Sequence, residues 1–164
     1  MKRGSTIFLR GAVGILGIAV LALCIFALPR FAVWFTEDAM AMTAAGNMLR
    51  YPIVLWLYAP AIPFFFALYQ ALKLLGYIDR KTAFSMLSVK ALRKIQYASM
   101  AMSILYAIGM PFVYFSAQVE DAPGLILLAA AFAASPTVVA TFCAVLQRLL
   151  KEAIDIKTEN DSTI

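Results

Sequence analysis

The side chains best suited to catalysis are scarce in this sequence and do not cluster. The 164 residues include no histidine, and the two cysteines, Cys24 and Cys143, lack a Cys-x-x-Cys spacing. Ser–His and Cys–His nucleophilic pairs are therefore excluded, together with histidine-based proton shuttles and the commonest metal sites. We expect Cys24 to be a small buried residue of a helix, and we predict a protein that is not an enzyme and has no cofactor.

Two acidic pairs are the remaining candidates for metal chemistry. These pairs are Glu37–Asp38 and Glu120–Asp121, and carboxylate clusters of this kind can hold Ca²⁺ or Mg²⁺. The alternative is that they are solvated acids at helix ends. We favour the second interpretation and predict no metal site.

Hydroxyl groups form a third set of candidates. Ser103, Tyr106 and Thr141 fall inside apolar segments, where they could line a cavity for a small lipophilic ligand. In membrane helices such groups more often form hydrogen bonds between helices, which contribute about 0.6 kcal/mol each. Both interpretations stay open at the level of sequence.

The elements that must position these groups follow from the composition. Hydrophobic residues make up 63% of the chain and charged residues 14%, with a mean hydropathy of +0.86. A soluble domain usually has about 25% charged residues. This chain therefore has too little polar surface for a globule in water, and it is too apolar to be disordered.

Four long intervals contain no Asp, Glu, Lys or Arg, and each is long enough to cross a bilayer. They hold 19, 22, 25 and 26 residues, whereas a spanning helix needs about 20. Backbone groups in lipid must be satisfied within the segment, which favours helices. We predict an all-α integral membrane four-helix bundle with spans at about 11–29, 53–75, 97–119 and 124–146.

The distribution of Lys and Arg predicts the orientation. Twelve of the 14 basic residues lie at the N-terminus, in the second loop with the adjoining helix edge at Lys73, or after span 4. The positive-inside rule then places both termini in the cytoplasm of a bacterial cell membrane. The sequence pI of 9.4 reflects this orientation and contact with anionic headgroups, so we predict no direct binding of nucleic acid.

The cytoplasmic segments are predicted to be structured. In the basic loop 76–96, Ser85 is a suitable N-cap for a helix that begins near Met86 and continues into span 3. Lys90, Arg93 and Lys94 then share one face through their i, i+3 and i+4 spacing.

The tail 147–164 is predicted to continue span 4 as an amphipathic extension. Its apolar stripe has helical spacing, and Gln147 falls on the opposite, polar side. The stripe consists of Leu146, Leu149, Leu150, Ala153 and Ile154. The alternative for the end of the tail is an unstructured segment.

Prolines interrupt three of the four predicted spans. Span 2 has Pro60 and Pro63, span 3 has Pro111, and span 4 has Pro136. Each removes a backbone donor and kinks its helix. The kinks could border a binding cavity, although membrane helices also tolerate proline more readily than soluble ones.

The central loop and the tail resemble one family. The matching segments are Ala71–Leu75, Ile78–Arg80, Ala83–Ser85, Ser88–Arg93 with Ile95 and Tyr97, Leu149–Asp155, Glu159–Asp161 and Thr163–Ile164. They are similar to a YoaS-like family of small four-span bacterial membrane proteins of unknown function. The resemblance implies four spans and no assigned activity. It also implies a neighbour, because members are often encoded beside a small helix-turn-helix regulator of the Cro/repressor type.

Our leading hypothesis is therefore a membrane protein that binds or tethers a small cytosolic transcriptional regulator. The residues expected to contact this partner or lipid headgroups are Lys90, Arg93, Lys94, Arg148, Lys151, Asn160, Asp161, Thr163 and Ile164. For the basic face, simple lipid anchoring is an equal alternative. The rival function is an oligomeric small-molecule exporter or a resistance or immunity protein, and a homo-oligomer is compatible with each hypothesis.

Overall fold

The computed structural model describes residues 3–33, 46–119 and 121–163, and all of the regular structure in these ranges is helical. Helix α1 covers Arg3–Ala22 and continues through a π-helical segment, Leu23–Ala27, to residue 33. The others are α2 (Gly46–Tyr58), α3 (Ala61–Asp79), α4 (Met86–Val119) and α5 (Pro123–Ser162). Glu37, Asp38 and Glu120 lie outside the described residues.

Four stretches of helix are long and apolar enough to cross a membrane. They are Gly4–Val33, Tyr51–Asp79, Met86–Gln118 and Pro123–Ser162. Large apolar side chains such as Phe8, Leu127 and Phe142 are more than 60% exposed on them, as expected for surfaces that face lipid. The prediction of an all-α, four-span membrane protein is confirmed.

The best-packed region joins three helices. Helix α4 packs between α3 and α5, and α1 packs against α3. The buried side chains of Leu92 and Ile95 on α4 meet Cys143 on α5. Around them pack Ala67, Ala71 and Leu74 of α3 and Leu150 of α5.

Most basic residues of the helices gather at one end of the bundle, which we call the basic end. Arg10 of α1 forms an ion pair with Asp79 of α3, with 3.2 Å between Nη2 and Oδ2. Gln147 Nε2 of α5 donates a hydrogen bond of 2.7 Å to Gln96 Oε1 of α4. Because α4 follows α3 through a short turn, all four spanning stretches bring their basic ends together.

The turn at the basic end has a defined geometry. The N–H of Thr82 bonds the carbonyl of Tyr77, and the N–H of Lys81 bonds that of Ile78. This pair of bonds is a Schellman motif, with Lys81 in the left-handed region (φ 56°) that glycine usually occupies. Helix α4 begins at Met86, as predicted. The Ser85 hydroxyl, however, donates to the carbonyl of Thr82.

The prolines have different effects along the chain. Helices α4 and α5 continue through Pro111 and Pro136. The second spanning stretch is instead interrupted at Ala59 and Pro60, between α2 and α3. The N–H of Ala59 reaches the carbonyls of Leu55 and Trp56, which partly satisfies the acceptors next to the break.

Candidate functional site

The candidate partner surface consists of the first turns of α4 and the last turns of α5, which pack side by side at the unconnected ends of these two helices. Helices of 34 and 40 residues measure about 51 and 60 Å, whereas the hydrocarbon core is about 30 Å thick. Since Gln96 pairs with Gln147, residue 157 of α5 is about level with Met86 of α4. Residues 86–96 and 147–157 therefore pack side by side, and the end of α5 projects beyond them. We call residues 86–96 and 147–162 the paired helix ends.

The predicted basic face is present and uncompensated. Lys90, Arg93 and Lys94 are all exposed, and none forms an ion pair within the described part of the chain. Helix α4 contains no acidic residue. One turn further along, the same exposed face continues with Tyr97, which is 64% exposed, and then with apolar residues such as Ile104. This face thus runs from lipid-facing residues to the headgroup level.

The other predicted contact residues fall at two depths. Arg148 and Lys151 are exposed about level with the basic face of α4. Asn160 and Asp161 are exposed on the projecting end of α5. The side chain of Thr163 forms a hydrogen bond at the C-terminal end of α5, where its Oγ1 donates to the carbonyl of Glu159 at 2.6 Å. Ile164 lies outside the described residues. The structure therefore does not bring these residues into one cluster.

The tail differs from its predicted form in two respects. It is helical to Ser162, so the alternative of an unstructured end is wrong for residues 147–162. Gln147 was also assigned to the wrong face, because it is 8% exposed and faces α4, whereas Leu146 and Leu149 are about half exposed. Cys143, Gln147, Leu150 and Ile154 follow a 4-3-4 spacing, which is typical of helices packed as a coiled coil.

Several hydroxyl groups inside the spans form hydrogen bonds within the bundle, whereas the buried Ser99 hydroxyl has no hydrogen-bond partner among the described residues. Ser103 Oγ and Thr137 Oγ1 are 3.0 Å apart and join α4 to α5. Thr141 donates to the carbonyl of Thr137 at 2.9 Å. The contact between Ser103 and Thr137 favours helix association over a ligand cavity at Ser103, whereas the bond of Thr141 stays within its own helix. Among the described residues, no three potential ligands lie close enough together to hold a metal ion.

The end of the bundle opposite the basic end carries a groove. It lies between the end of α1 and α2 and has a volume of about 740 Å³. Its lining is mainly apolar: Pro29, Ala32, Val33, Tyr51, Val54, Leu55 and Tyr58. Sequence reasoning missed this groove, because it requires the tertiary contact between two helices.

Two contacts hold α2 in place at this level. Trp56 Nε1 donates a 2.8 Å hydrogen bond to the carbonyl of Leu105, and the indole ring lies directly on Gly109. A Cβ at Gly109 would overlap the ring. Tyr58 Oη donates to the carbonyl of Cys24 at 3.2 Å.

The Cys24 carbonyl is available to accept this second hydrogen bond for a local reason. Leu28 donates its N–H to Leu23, five residues earlier, and the next residue, Pro29, has no N–H. The carbonyl of Cys24 is thus left to the tyrosine. Cys24 itself is only partly buried, so its predicted burial is not complete.

Comparisons with known proteins agree with this architecture. Residues 34–164 match the model of a protein family described as "Protein of unknown function (DUF2975)". The chain belongs to this family. It is 50% identical, over 164 residues and 100% of both chains, to the "Uncharacterized membrane protein YoaS" of Bacillus subtilis (strain 168). The resemblance inferred from the loop and tail is confirmed. No solved structure matches the chain.

Proposed function

We propose that this protein is a non-enzymatic membrane tether for a small cytosolic helix-turn-helix regulator. It resides in the bacterial cell membrane with both termini in the cytoplasm, as the positive-inside rule favours. The paired helix ends are then the cytoplasmic part, and the projecting end of α5 is the surface that contacts the regulator.

The observation that carries this proposal is the unbroken length of α5. If the hydrocarbon ends near residue 146, Ser162 stands about 24 Å beyond it, clear of the headgroups. A segment whose only role was to leave the bilayer would not need about four further turns, of which about the first three pack beside a neighbouring helix. The exposed Glu159 and Asp161 give this end charged contact groups.

The basic face has a separate role in this proposal. Lys90, Arg93 and Lys94 lie on the same side of α4 as residues that face lipid, so they meet anionic headgroups of the cytoplasmic leaflet. Each contributes about 1 kcal/mol near such a surface. The tether is thereby held at a fixed depth while the end of α5 stays accessible.

The test is crosslinked affinity capture of the tagged protein from native membranes, with a small helix-turn-helix regulator of the Cro/repressor type, the neighbour that the family resemblance implies, as the target. The first variant ends after Lys157, which removes the projecting end but keeps the part of α5 that packs beside α4. We expect the full chain to capture the regulator and the truncated chain to lose at least tenfold in recovery.

A matched pair of variants separates the projecting end from its base. Glu159→Gln with Asp161→Asn removes two charges from the projecting end, and Glu152→Gln with Asp155→Asn removes two from the supported part. We expect only the first pair to weaken capture. Equal capture by the full and truncated chains, or no regulator in either, would contradict the tether. If deletion of the gene then changes drug accumulation, the exporter replaces it.

A further inference from the structure

The groove between α1 and α2 has the features of a ligand site built from the fold. Its volume of about 740 Å³ falls within the range of about 300–1,000 Å³ typical of small-molecule pockets. Five of its seven lining residues are aliphatic or proline, and the other two, Tyr51 and Tyr58, supply hydroxyls. Both walls belong to apolar stretches that span the membrane, so what reaches the groove comes from the bilayer.

Irregular backbone shapes both walls of the groove. On one side, the π-helical segment Leu23–Ala27 directly precedes the lining residue Pro29. On the other side, α2 ends at the lining residue Tyr58, just before the break at Pro60. The hydrogen bond from Tyr58 to Cys24 ties the two irregular segments together. The groove therefore lies between two breaks in regular helix, and a specific contact fixes its two walls relative to each other.

A cation lies close to this apolar groove along α1. Arg30 follows the lining residue Pro29, is exposed, and forms no ion pair within the described ranges. Tyr51 is 81% exposed at the same end, which suits an aromatic residue at the membrane interface. An apolar groove beside an exposed cation is complementary to an acyl chain that bears an anionic head.

We propose that the groove binds one acyl chain of a membrane phospholipid, whose phosphate contacts the guanidinium of Arg30. The chain lies against Val54 and Leu55, and the glycerol backbone is level with Tyr51. The site is at the end of the bundle opposite the paired helix ends. It stands independently of the tether, and its test uses different residues.

Native mass spectrometry of the purified full chain tests this site. The protein is reconstituted in an equal mixture of phosphatidylglycerol and phosphatidylcholine, released into detergent, and scored for retained lipid. We expect one retained phospholipid per chain, with phosphatidylglycerol preferred. Val54→Trp fills the groove and should reduce retention at least fivefold, whereas Ile62→Trp, a similar enlargement on the exposed surface of α3, should not.

Replacing the cation tests the head of the lipid separately. Arg30→Gln should lower the preference for phosphatidylglycerol about fivefold, whereas Arg80→Gln at the basic end should leave it unchanged. Leu55→Trp replaces Val54→Trp if circular dichroism shows that the latter has lost helicity. A wild-type chain without lipid, retention by both filled variants, an unchanged preference in Arg30→Gln, or a retained free fatty acid would each overturn the proposal.

Discussion

The two ends of the bundle are held together in different ways. At the basic end, α3, α4 and α5 share a core around Leu92, Ile95 and Cys143, and a hydrogen-bonded turn joins two of these helices. At the opposite end, directed contacts hold the described part of α2, such as Trp56 on Gly109 and Tyr58 on Cys24, beside an open groove. One end is stabilised by packing over many atoms, and the other by a few directed contacts.

This difference has a physical reason. Lipid tails are as apolar as leucine, so burial of apolar side chains gives little net driving force inside the membrane. Helix ends that leave the hydrocarbon regain that driving force, since water makes burial favourable again. The best-packed region accordingly lies where α4 and α5 emerge.

The largest expected effect is a difference in the free energy of unfolding between two leucine-to-alanine variants, one at each end of the bundle. Leu92 is 6% exposed in the core of the basic end, so Leu92→Ala should lower the free energy of unfolding by about 3 kcal/mol. Leu55 is 73% exposed on α2, where lipid replaces the lost atoms, so Leu55→Ala should cost about 0.5 kcal/mol or less. Unfolding by titration with sodium dodecyl sulfate in mixed micelles measures both. Equal losses would remove the distinction between the ends.

The second effect tests whether directed contacts hold the opposite end. Gly109→Ala should destabilise the bundle by about 2 kcal/mol, because the new methyl group displaces the Trp56 ring and breaks its hydrogen bond to Leu105. Gly124→Ala is the control, since no atom lies within 4 Å of its added Cβ. In a double-mutant cycle with Trp56→Leu, the two changes should be strongly non-additive. Additive losses would show that the contact does not hold α2.

The smallest effect concerns the second contact. Tyr58→Phe removes the donor to the Cys24 carbonyl and should cost about 0.6 kcal/mol, the average for a hydrogen bond between membrane helices. Tyr114→Phe, at an exposed tyrosine of α4, should have no effect. The same unfolding titration measures both variants. A loss at Tyr114 as large as that at Tyr58 would count against the assigned role.

The spans and the start of α4 at Met86 could be predicted from sequence, because they depend on local features. A charge-free interval must be helical in lipid, and Ser85 with the preceding polar turn marks the helix boundary. The faces of the helices were harder to predict. Where both lipid and protein are apolar, hydrophobic spacing does not distinguish the buried side, and Gln147 was therefore placed on the wrong one.

The groove and the contact between Trp56 and Gly109 could not be predicted for another reason. Each joins residues from helices that are distant in sequence, and no local pattern encodes their distance. Helix α1 continues through Pro29, and the effect of this proline on the Cys24 carbonyl depends on the π-helical register, which sequence does not reveal. The shared face of Lys90, Arg93 and Lys94 could be predicted from the sequence. The separation in depth between these residues and Asn160 could not.

The unbroken helix from Pro123 to Ser162 also acts as a lever. A spanning helix changes its tilt when the bilayer becomes thicker or thinner. Over about 60 Å, a change of about 5° at one end displaces the other by about 5 Å. Small changes in membrane thickness are therefore converted into movement of the last turns of α5 relative to the membrane surface, with no hinge required.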